Sequence, residues 1–484
     1  MYPNPQDRPP PRAIDFAAFN KEWQEDLLWH REKLKQENPN YYIDEPSTLI
    51  TSSSAHSFIT GTGSDIFNTI FPHISAAESE IIIVTCFWAR SSSLKTLSNT
   101  LRSLSTKALN RGGPKIRIRI AFSSLSLFQK LFHTQSTKGQ IYPPSTWTKR
   151  LGLPSPDELG GLDLKIKSIF LLPFSIMHPK FIIVDRKKVF LPSCNVSWEV
   201  WFEGCIELSG PILSQFVRFW EEFWARDEPP QHPSTITTTT STPTTSISPF
   251  GPAHSLTPLS PNHPIPTLFL PSPHHINPSF QPFTYPSRTI FPPTPLNTAL
   301  LLLLSLATSS IYIQTPNLTS PPVLTALLRA LRRGISIHIL TSARLMILEQ
   351  LITAGTTTLR CMKKLVKRYK ALYHPPRSSR YSEYGDEEAA LGFPLPGQLK
   401  IEFFEAKGGL KARGMEGGEP QKSHLKLLIV DEEVVVLGSG NLDRASWFTS
   451  QELGVMFFDP GMAGRVRGAV GEMMDGRVKG FYES

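Results

Sequence analysis

The chain has 484 residues, 40% of them hydrophobic and 19% charged, which excludes a wholly disordered or fibrous protein and is enough for two lobes with cores of their own. The formal net charge of +9 favours an anionic partner, a condition that a lipid surface and a nucleic acid both meet. Four cysteines, Cys86, Cys194, Cys205 and Cys361, form no CxxC pair, which excludes a disulfide scaffold and reads as a reduced, intracellular protein.

Taken in chain order, the N-terminal residues lack the apolar core of a signal peptide, and the expected location is the cytoplasm or a membrane periphery. Residues 13–37 read as a polar helix with apolar anchors Phe16, Phe19, Trp23 and Leu27. From residue 64 the pattern alternates between helix and strand. Residues 65–77 have helical period, 80–88 contain the buried-strand run Ile81-Ile82-Ile83-Val84, and 94–109 are helical again. Residues 115–122 alternate as a strand, as do 163–172, and 181–184 form a short apolar run of the fully buried kind.

Residues 229–297 are rich in Pro, Ser and Thr, with Arg288 the one charged residue, and are expected to form a disordered linker. Phe280, Phe283, Tyr285 and Phe291, near its end, are candidates to dock on a lobe. The first order of elements then recurs, with a helix at 298–307, a strand at 310–314, a helix at 322–333 closed by Gly334 and a strand at 335–340. The uncharged stretch 298–313 is interrupted by Ser305, Thr308, Ser309 and Ser310, so it reads as a buried helix running into a strand rather than a membrane span. Residues 363–396 read as an irregular insertion that opens on a basic run at 363–370, and strands follow at 399–404 and 427–430. The expected architecture is α/β: an N-terminal helical arm (1–40), a first lobe (41–228), the linker (229–297) and a second lobe (298–484), each lobe a mixed sheet flanked by helices.

One pattern occurs twice. His178, Lys180, Asp185, Ser193 and Asn195 recur at the same offsets of 2, 7, 15 and 17 as His424, Lys426, Asp431, Ser439 and Asn441. A single His-x-Lys before an apolar strand is commonly unremarkable surface; two copies with matching distant offsets are hard to produce by chance. Residues two apart on a strand share a face, so each imidazole and ammonium point the same way. A phosphodiester anion needs such donors: Lys180 and Lys426 neutralise it, and Ser193, Asn195, Ser439 and Asn441 are expected to bind its oxygens. Asp185 and Asp431 complete the catalytic motif but end their strands, where they are expected to hold local structure. No metal and no cofactor are expected, because the lysines supply the charge. Cys194 reads as packing, and Trp198 and Trp201 as packing or the lining of an apolar channel.

These motifs resemble the phospholipase D superfamily, and in particular cardiolipin synthase-like and fungal phospholipase D-like proteins. The H-x-K-x4-D motif is matched in full twice, and the resemblance covers 41–228 and 298–484. It implies two pseudo-symmetric phospholipase D-like lobes with the active site at their interface, in one chain acting as a monomer. It implies that one histidine becomes a phosphohistidine, by family habit His178, while His424 serves as general acid and then base. An acidic residue downstream of each motif is expected to orient a histidine: Glu452, and Glu203 in preference to Glu199. The first copy departs from the family, since Leu191-Pro192-Ser193-Cys194-Asn195 stands where the second keeps Gly438-Ser439-Gly440-Asn441. The expected activity is that of a phospholipase D-type phosphodiesterase or phosphatidyltransferase on a glycerophospholipid at a membrane surface. A nuclease on DNA or RNA is the alternative, told apart by the rim: apolar for lipid, a long basic groove for nucleic acid. A non-catalytic lipid-binding scaffold is the third reading, and two intact motifs argue against it.

Overall fold

The structure, a computed structural model, describes residues 13–126, 129, 130, 132–171, 175–226, 228, 254–259, 263–273, 291–373 and 395–484. Helix α1 (Phe16–Trp29) is capped by Asp15, which accepts from the Ala17 amide at 2.8 Å. Its apolar stripe packs on the second half of the chain: Trp23 Nε1 donates to the Pro295 carbonyl at 3.2 Å, and Phe16 and Phe19 lie edge-on to Phe458 at 4.8 and 5.4 Å.

The first half contains strands β1 (Ile50–Gly61), β2 (Glu80–Phe87), β3 (Ile116–Ser124), β4 (Leu162–Ser168), β5 (Phe181–Val184), β6 (Lys188–Pro192) and β7 (Glu203–Ser209). Their order across the sheet is β4-β3-β2-β5-β6-β7-β1, with β2, β3 and β4 parallel and the other neighbours antiparallel. Helix α2 (Gly63–Ser75) starts in a capping box between Thr62 and Asp65, and α3 (Ser92–Arg111) stops at left-handed Gly112. Helix α4 (Ile212–Phe219) follows β7.

The second half contains β8 (Ser255–Pro258), β9 (Ile265–Pro273), α5 (Pro295–Leu306), β10 (Ser310–Thr315), α6 (Pro321–Arg332), β11 (Ser336–Thr341), α7 (Ile347–Ala354), α8 (Thr358–Lys370), β12 (Leu399–Phe404), β13 (Leu427–Val430), β14 (Val434–Gly438), β15 (Gln451–Phe458), α9 (Pro460–Met474) and β16 (Val478–Glu483). From β8, which pairs with β1 of the first half, the chain passes to the second sheet, in the order β16-β12-β11-β10-β13-β14-β15-β9. The parallel triplet and the antiparallel series repeat those of the first half, so β9 is the counterpart of β1. Among the described residues no helix is long and apolar enough to cross a membrane.

Two expectations need correction here. The segment 229–297 is not wholly a linker: β9 pairs with β15 from Thr267 to Pro273 and with β1 from Ile265 to Leu268. Ile265, Leu268, Phe269 and Leu270 are fully buried. Prolines hid this strand, because proline cannot donate to a ladder. Pro266, Pro271 and Pro273 each stand where only one neighbouring strand pairs, so no ladder bond is lost on a second side. Of the aromatic residues expected to dock, Phe291 packs edge-on to Trp447 at 5.9 Å, and Phe280, Phe283 and Tyr285 lie outside the described residues. The basic run at 363–370 is likewise not irregular. It belongs to α8, capped by Thr357 and burying Cys361, Met362, Leu365 and Tyr369; residues 374–394 lie outside the described residues.

The two sheets are fastened at two points. Strand β1 pairs with β9 over Ile50–Ser53 and with β7 from Ser54 onward, bulging between Ala55 and Ser57, so one strand serves both sheets. Phe216 and Phe219 of α4 contact Phe181 of β5 at 5.4 and 6.2 Å and Phe269 of β9 at 5.1 and 6.0 Å. Truncating Phe269 leaves a cavity where the halves meet, so Phe269→Ala should cost about 3–5 kcal/mol. Urea unfolding would read this as a lower midpoint; a midpoint equal to that of the wild type would remove β9 from the core.

Candidate active site

Each histidine stands just before a short buried strand, His178 before β5 and His424 before β13, with its lysine between. The turn after each strand explains the aspartate. Asp185 and Arg186 both have φ of 50°, and Asp431 and Glu432 have φ of 54° and 58°, the left-handed region in which aspartate is among the better tolerated side chains. Asp185 accepts from the amides of Glu78, Ser79 and Glu80 at 2.8–2.9 Å, and Asp431 from those of Thr308, Ser309 and Ser310 at 2.8–2.9 Å. Burial raises each carboxyl pKa, but these amides bring it below the ordinary value. Both aspartates thus tie a motif strand to the start of its antiparallel neighbour, a local structural role.

The two halves touch through the motifs themselves. Met177 forms a parallel bridge with Gln451, and Phe202 forms one with Ser423. The His178 amide donates to the Gln451 carbonyl at 2.9 Å, and the His424 amide to the Phe202 carbonyl at 2.8 Å. The next residue in each partner strand is the carboxylate. Glu452 Oε2 therefore accepts from His178 Nδ1 at 2.8 Å, and Glu203 Oε1 from His424 Nδ1 at 2.8 Å. Each carboxylate orients the histidine of the other half. A carboxylate only accepts, so Nδ1 of each ring holds the proton and Nε2 of the neutral imidazole keeps its lone pair.

Ser193 and Ser439 turn toward the two carboxylates. Each is buried, and its hydroxyl donates to the nearby carboxylate, Ser193 to Glu203 and Ser439 to Glu452. Each also accepts the amide after that carboxylate, Gly204 at 2.9 Å and Leu453 at 3.0 Å. The missing glycine turn of the first copy leaves this arrangement unchanged. Gly438 is demanded locally, since a Cβ there would lie 2.3 Å from the Leu453 carbonyl oxygen. The two asparagines differ from one another. Asn195 Oδ1 accepts from the Phe87 amide at 3.2 Å, whereas Asn441 uses its NH2 on Asp443 at 3.2 Å and buries Oδ1 without a partner.

The lysines complete the site. Lys180 and Lys426 are buried, and each donates to the carbonyl of its own histidine, at 3.0 and 2.6 Å. An ammonium has three donors, so others are left for an anion. Burial lowers the Lys426 pKa to about 7; Glu203 opposes the shift and Lys180 adds to it. Burial also depresses both imidazoles, His424 to about 3, against the pull of Glu203 and Glu452. Burial would raise the two carboxyls, yet His424 and Lys426 hold Glu203, and His178 and Ser439 hold Glu452, below the ordinary value. Because Lys426 acts on His178 and Lys180 on His424, the half-sites share one field.

Glu199 is not an orienting group; it accepts from no histidine, and burial raises its pKa. Cys194 is buried, and burial raises its thiol far above the ordinary value, a packing role rather than a nucleophile's. Among the described residues no group of three or more His, Cys, Asp or Glu side chains is placed to hold a metal. Sequence reasoning missed Gln451, fully buried with unpartnered amide atoms beside Glu452, and Asp443 beside Asn441. Trp201 lies 4.8 Å from the His424 ring and walls the site.

Residues 300–474 match the family model described as "Cardiolipin synthase, PLD-like domain". The second half of the chain is therefore similar to a phospholipase D-like domain. In fold the chain is similar to phosphatidylserine synthase from Haemophilus influenzae Rd KW20, with a TM-score of 0.51 and 12% identity over 89% of this chain and 90% of that one. It also matches NUC from Salmonella typhimurium, a phospholipase D family member, at 15% identity and a TM-score of 0.26 over 39% of this chain and 91% of that one. NucT from Helicobacter pylori matches at 16% and 0.26 over 45% and 99%. No curated protein matches the chain in sequence.

The depressed pKa of His424 has a measurable sign. Below its ordinary 6.5 the unfolded chain takes up a proton that the folded site refuses until about 3, so stability falls as pH falls through this window. The depressed carboxyls add their loss lower, below their ordinary 4.5. The urea midpoint should therefore drop between roughly pH 7 and 5, where the carboxylates contribute little. His424→Gln should make this drop shallower, and an unchanged slope would place the proton uptake elsewhere.

Proposed function

We propose that the protein is a phospholipase D-type phosphodiesterase or phosphatidyltransferase acting on a glycerophospholipid through a covalent phosphohistidine. One observation carries this reading: two buried imidazoles, each with Nδ1 bound to a carboxylate of the opposite half, keep Nε2 for chemistry beside two buried lysines. His178, Lys180, His424 and Lys426 are the catalytic residues, and Glu203 and Glu452 are positioning residues. The bound phosphodiester restores full charge to Lys426, and its negative charge favours the imidazolium form of His424. His178 Nε2 forms an N–P bond as the bond from phosphorus to the head-group oxygen breaks, and that oxygen takes the proton from His424. Neutral His424 then accepts a proton from water or an alcohol, whose oxygen bonds to phosphorus as the N–P bond breaks.

Lipid is favoured over nucleic acid by what lies near the site. Trp201 and the exposed Trp198 follow the first motif, and apolar side chains stand exposed on α7. The family description and the phosphatidylserine synthase of similar fold support the same substrate class. The alternative, a nuclease, shares the site chemistry and is separated by substrate.

Purified protein should release phosphatidic acid from phospholipid, and added primary alcohol should divert product to the phosphatidyl alcohol. His178→Ala and His424→Ala should each lose at least about 10²–10⁴-fold in turnover, the typical contribution of one acid–base partner. Near-wild-type turnover in either variant, or cleavage of single-stranded DNA with none of phospholipid, would overturn the reading. A phosphorylated adduct that survives in His178→Ala but not in His424→Ala would exchange the two roles.

A further inference from the structure

Helix α7 is inside out. It buries Gln350 and Ala354 and leaves Ile347, Leu348, Leu351 and Ile352 at 41, 73, 40 and 50% exposure. The inversion is held in place. Gln350 Nε2 donates to Asn317 Oδ1 at 2.8 Å and to the Leu345 carbonyl at 2.5 Å, while its Oε1 accepts from the amide and hydroxyl of Thr358 at 2.6 and 3.0 Å. Rolling the helix to bury its leucines would leave these groups unpaired in the interior. Scattered surface leucines are ordinary, but four apolar residues on one helical face mark an interaction surface.

The helix stands beside the active site. Burial, and then the charge of Asp443, pushes the Glu349 carboxyl up to about 7, and Asp443 is the group that binds Asn441. Arg444, next to Asp443, donates to the Thr353 carbonyl of α7 at 3.2 Å, and the charge of Lys130, in the segment that follows β3, acts on the Glu349 carboxyl. That segment is the counterpart of α7, which follows β11, and in it Phe132 is 85% exposed. Each half thus projects apolar side chains next to the shared site.

Cations flank this surface. Exposed Arg344 precedes α7, and its carbonyl accepts from Lys422 at 3.1 Å, two residues before His424. Arg413 lies 3.8 Å over the exposed ring of Trp198. Of the carboxylates on the segment that carries Arg413, Glu419 is paired with Arg477 at 2.7 Å.

We propose that the exposed face of α7, together with Phe132 and flanked by Arg344, Lys130 and Arg413, docks the enzyme on an anionic phospholipid bilayer with the active site turned toward it. The proposal rests on the reading that the substrate is a glycerophospholipid. Aliphatic side chains suit the acyl boundary and the cations suit anionic head groups, whereas a nucleic-acid groove has no use for exposed leucine and isoleucine.

The test compares the wild type with Leu348→Glu, Ile352→Glu and Phe132→Glu, all solvent-exposed positions. Sedimentation with vesicles of phosphatidylcholine alone, or of equal parts phosphatidylcholine and phosphatidylglycerol, measures docking. Turnover of a water-soluble phosphodiester, bis(p-nitrophenyl) phosphate, measures the site alone. The wild type should bind the anionic vesicles more tightly. Each Leu or Ile variant should lose about tenfold or more in that binding, the scale of one buried aliphatic side chain, with soluble turnover unchanged. Undiminished vesicle binding in the variants, no binding by the wild type, or a dimer in sedimentation equilibrium that Leu348→Glu dissociates would each overturn the proposal. Wild-type docking through this face without phospholipid cleavage would uphold the surface and refute the substrate; phospholipid cleavage undiminished in the variants would do the reverse.

Discussion

The site depends on two crossed hydrogen bonds, His178 to Glu452 and His424 to Glu203. Each joins a ring from one half to a carboxylate from the other, and each follows a backbone hydrogen bond made one residue earlier by the same two strands. A buried carboxylate without partners costs several kcal/mol, of the order known for unpaired buried charge. Here Ser193 and Ser439, with the two imidazoles, offset that cost from opposite sides. Neither half is complete alone, because the group that sets the tautomer of its histidine is missing from it.

The crossing in turn requires the two sheets to meet in one register. Strand β1 serves both sheets, and the phenylalanines of α4 pack between β5 and β9. A shift of one residue at this seam would turn Glu203 or Glu452 to the opposite face of its strand. Asp185 and Asp431, in left-handed turns, hold the other end of the motif strands and meet three amides at the start of the neighbouring strand. The spacing shared by the two copies is thus the length of one strand, one turn and one return strand.

Burial decides the charge state. It keeps the imidazoles neutral and brings Lys426 close to neutrality while Lys180 stands near it. An anion entering this field would relieve the repulsion between the lysines and favour the protonated form of an imidazole. In the same region the outer surface is apolar and cationic.

Local pattern alone marked the two motifs, the buried runs at 181–184 and 427–430, most of the parallel strands and the role of the two aspartates, since strand period and turn preference act within a few residues. It hid β1, whose Thr51-Ser52-Ser53-Ser54 stretch has no apolar alternation, and β9, whose prolines read as linker. Tertiary structure alone decided that each glutamate serves the histidine of the other half. In a duplicated sequence, same-half and cross-half pairing look identical along the chain, and only the contact between the halves distinguishes them. The carboxylate partners of the serines lay beyond the sequence for the same reason: they are set by the return strand, which the local pattern does not place. The orientation of α7 also lay beyond the sequence, because its leucines follow an ordinary helical period and only the hydrogen bonds of Gln350 fix which face turns outward.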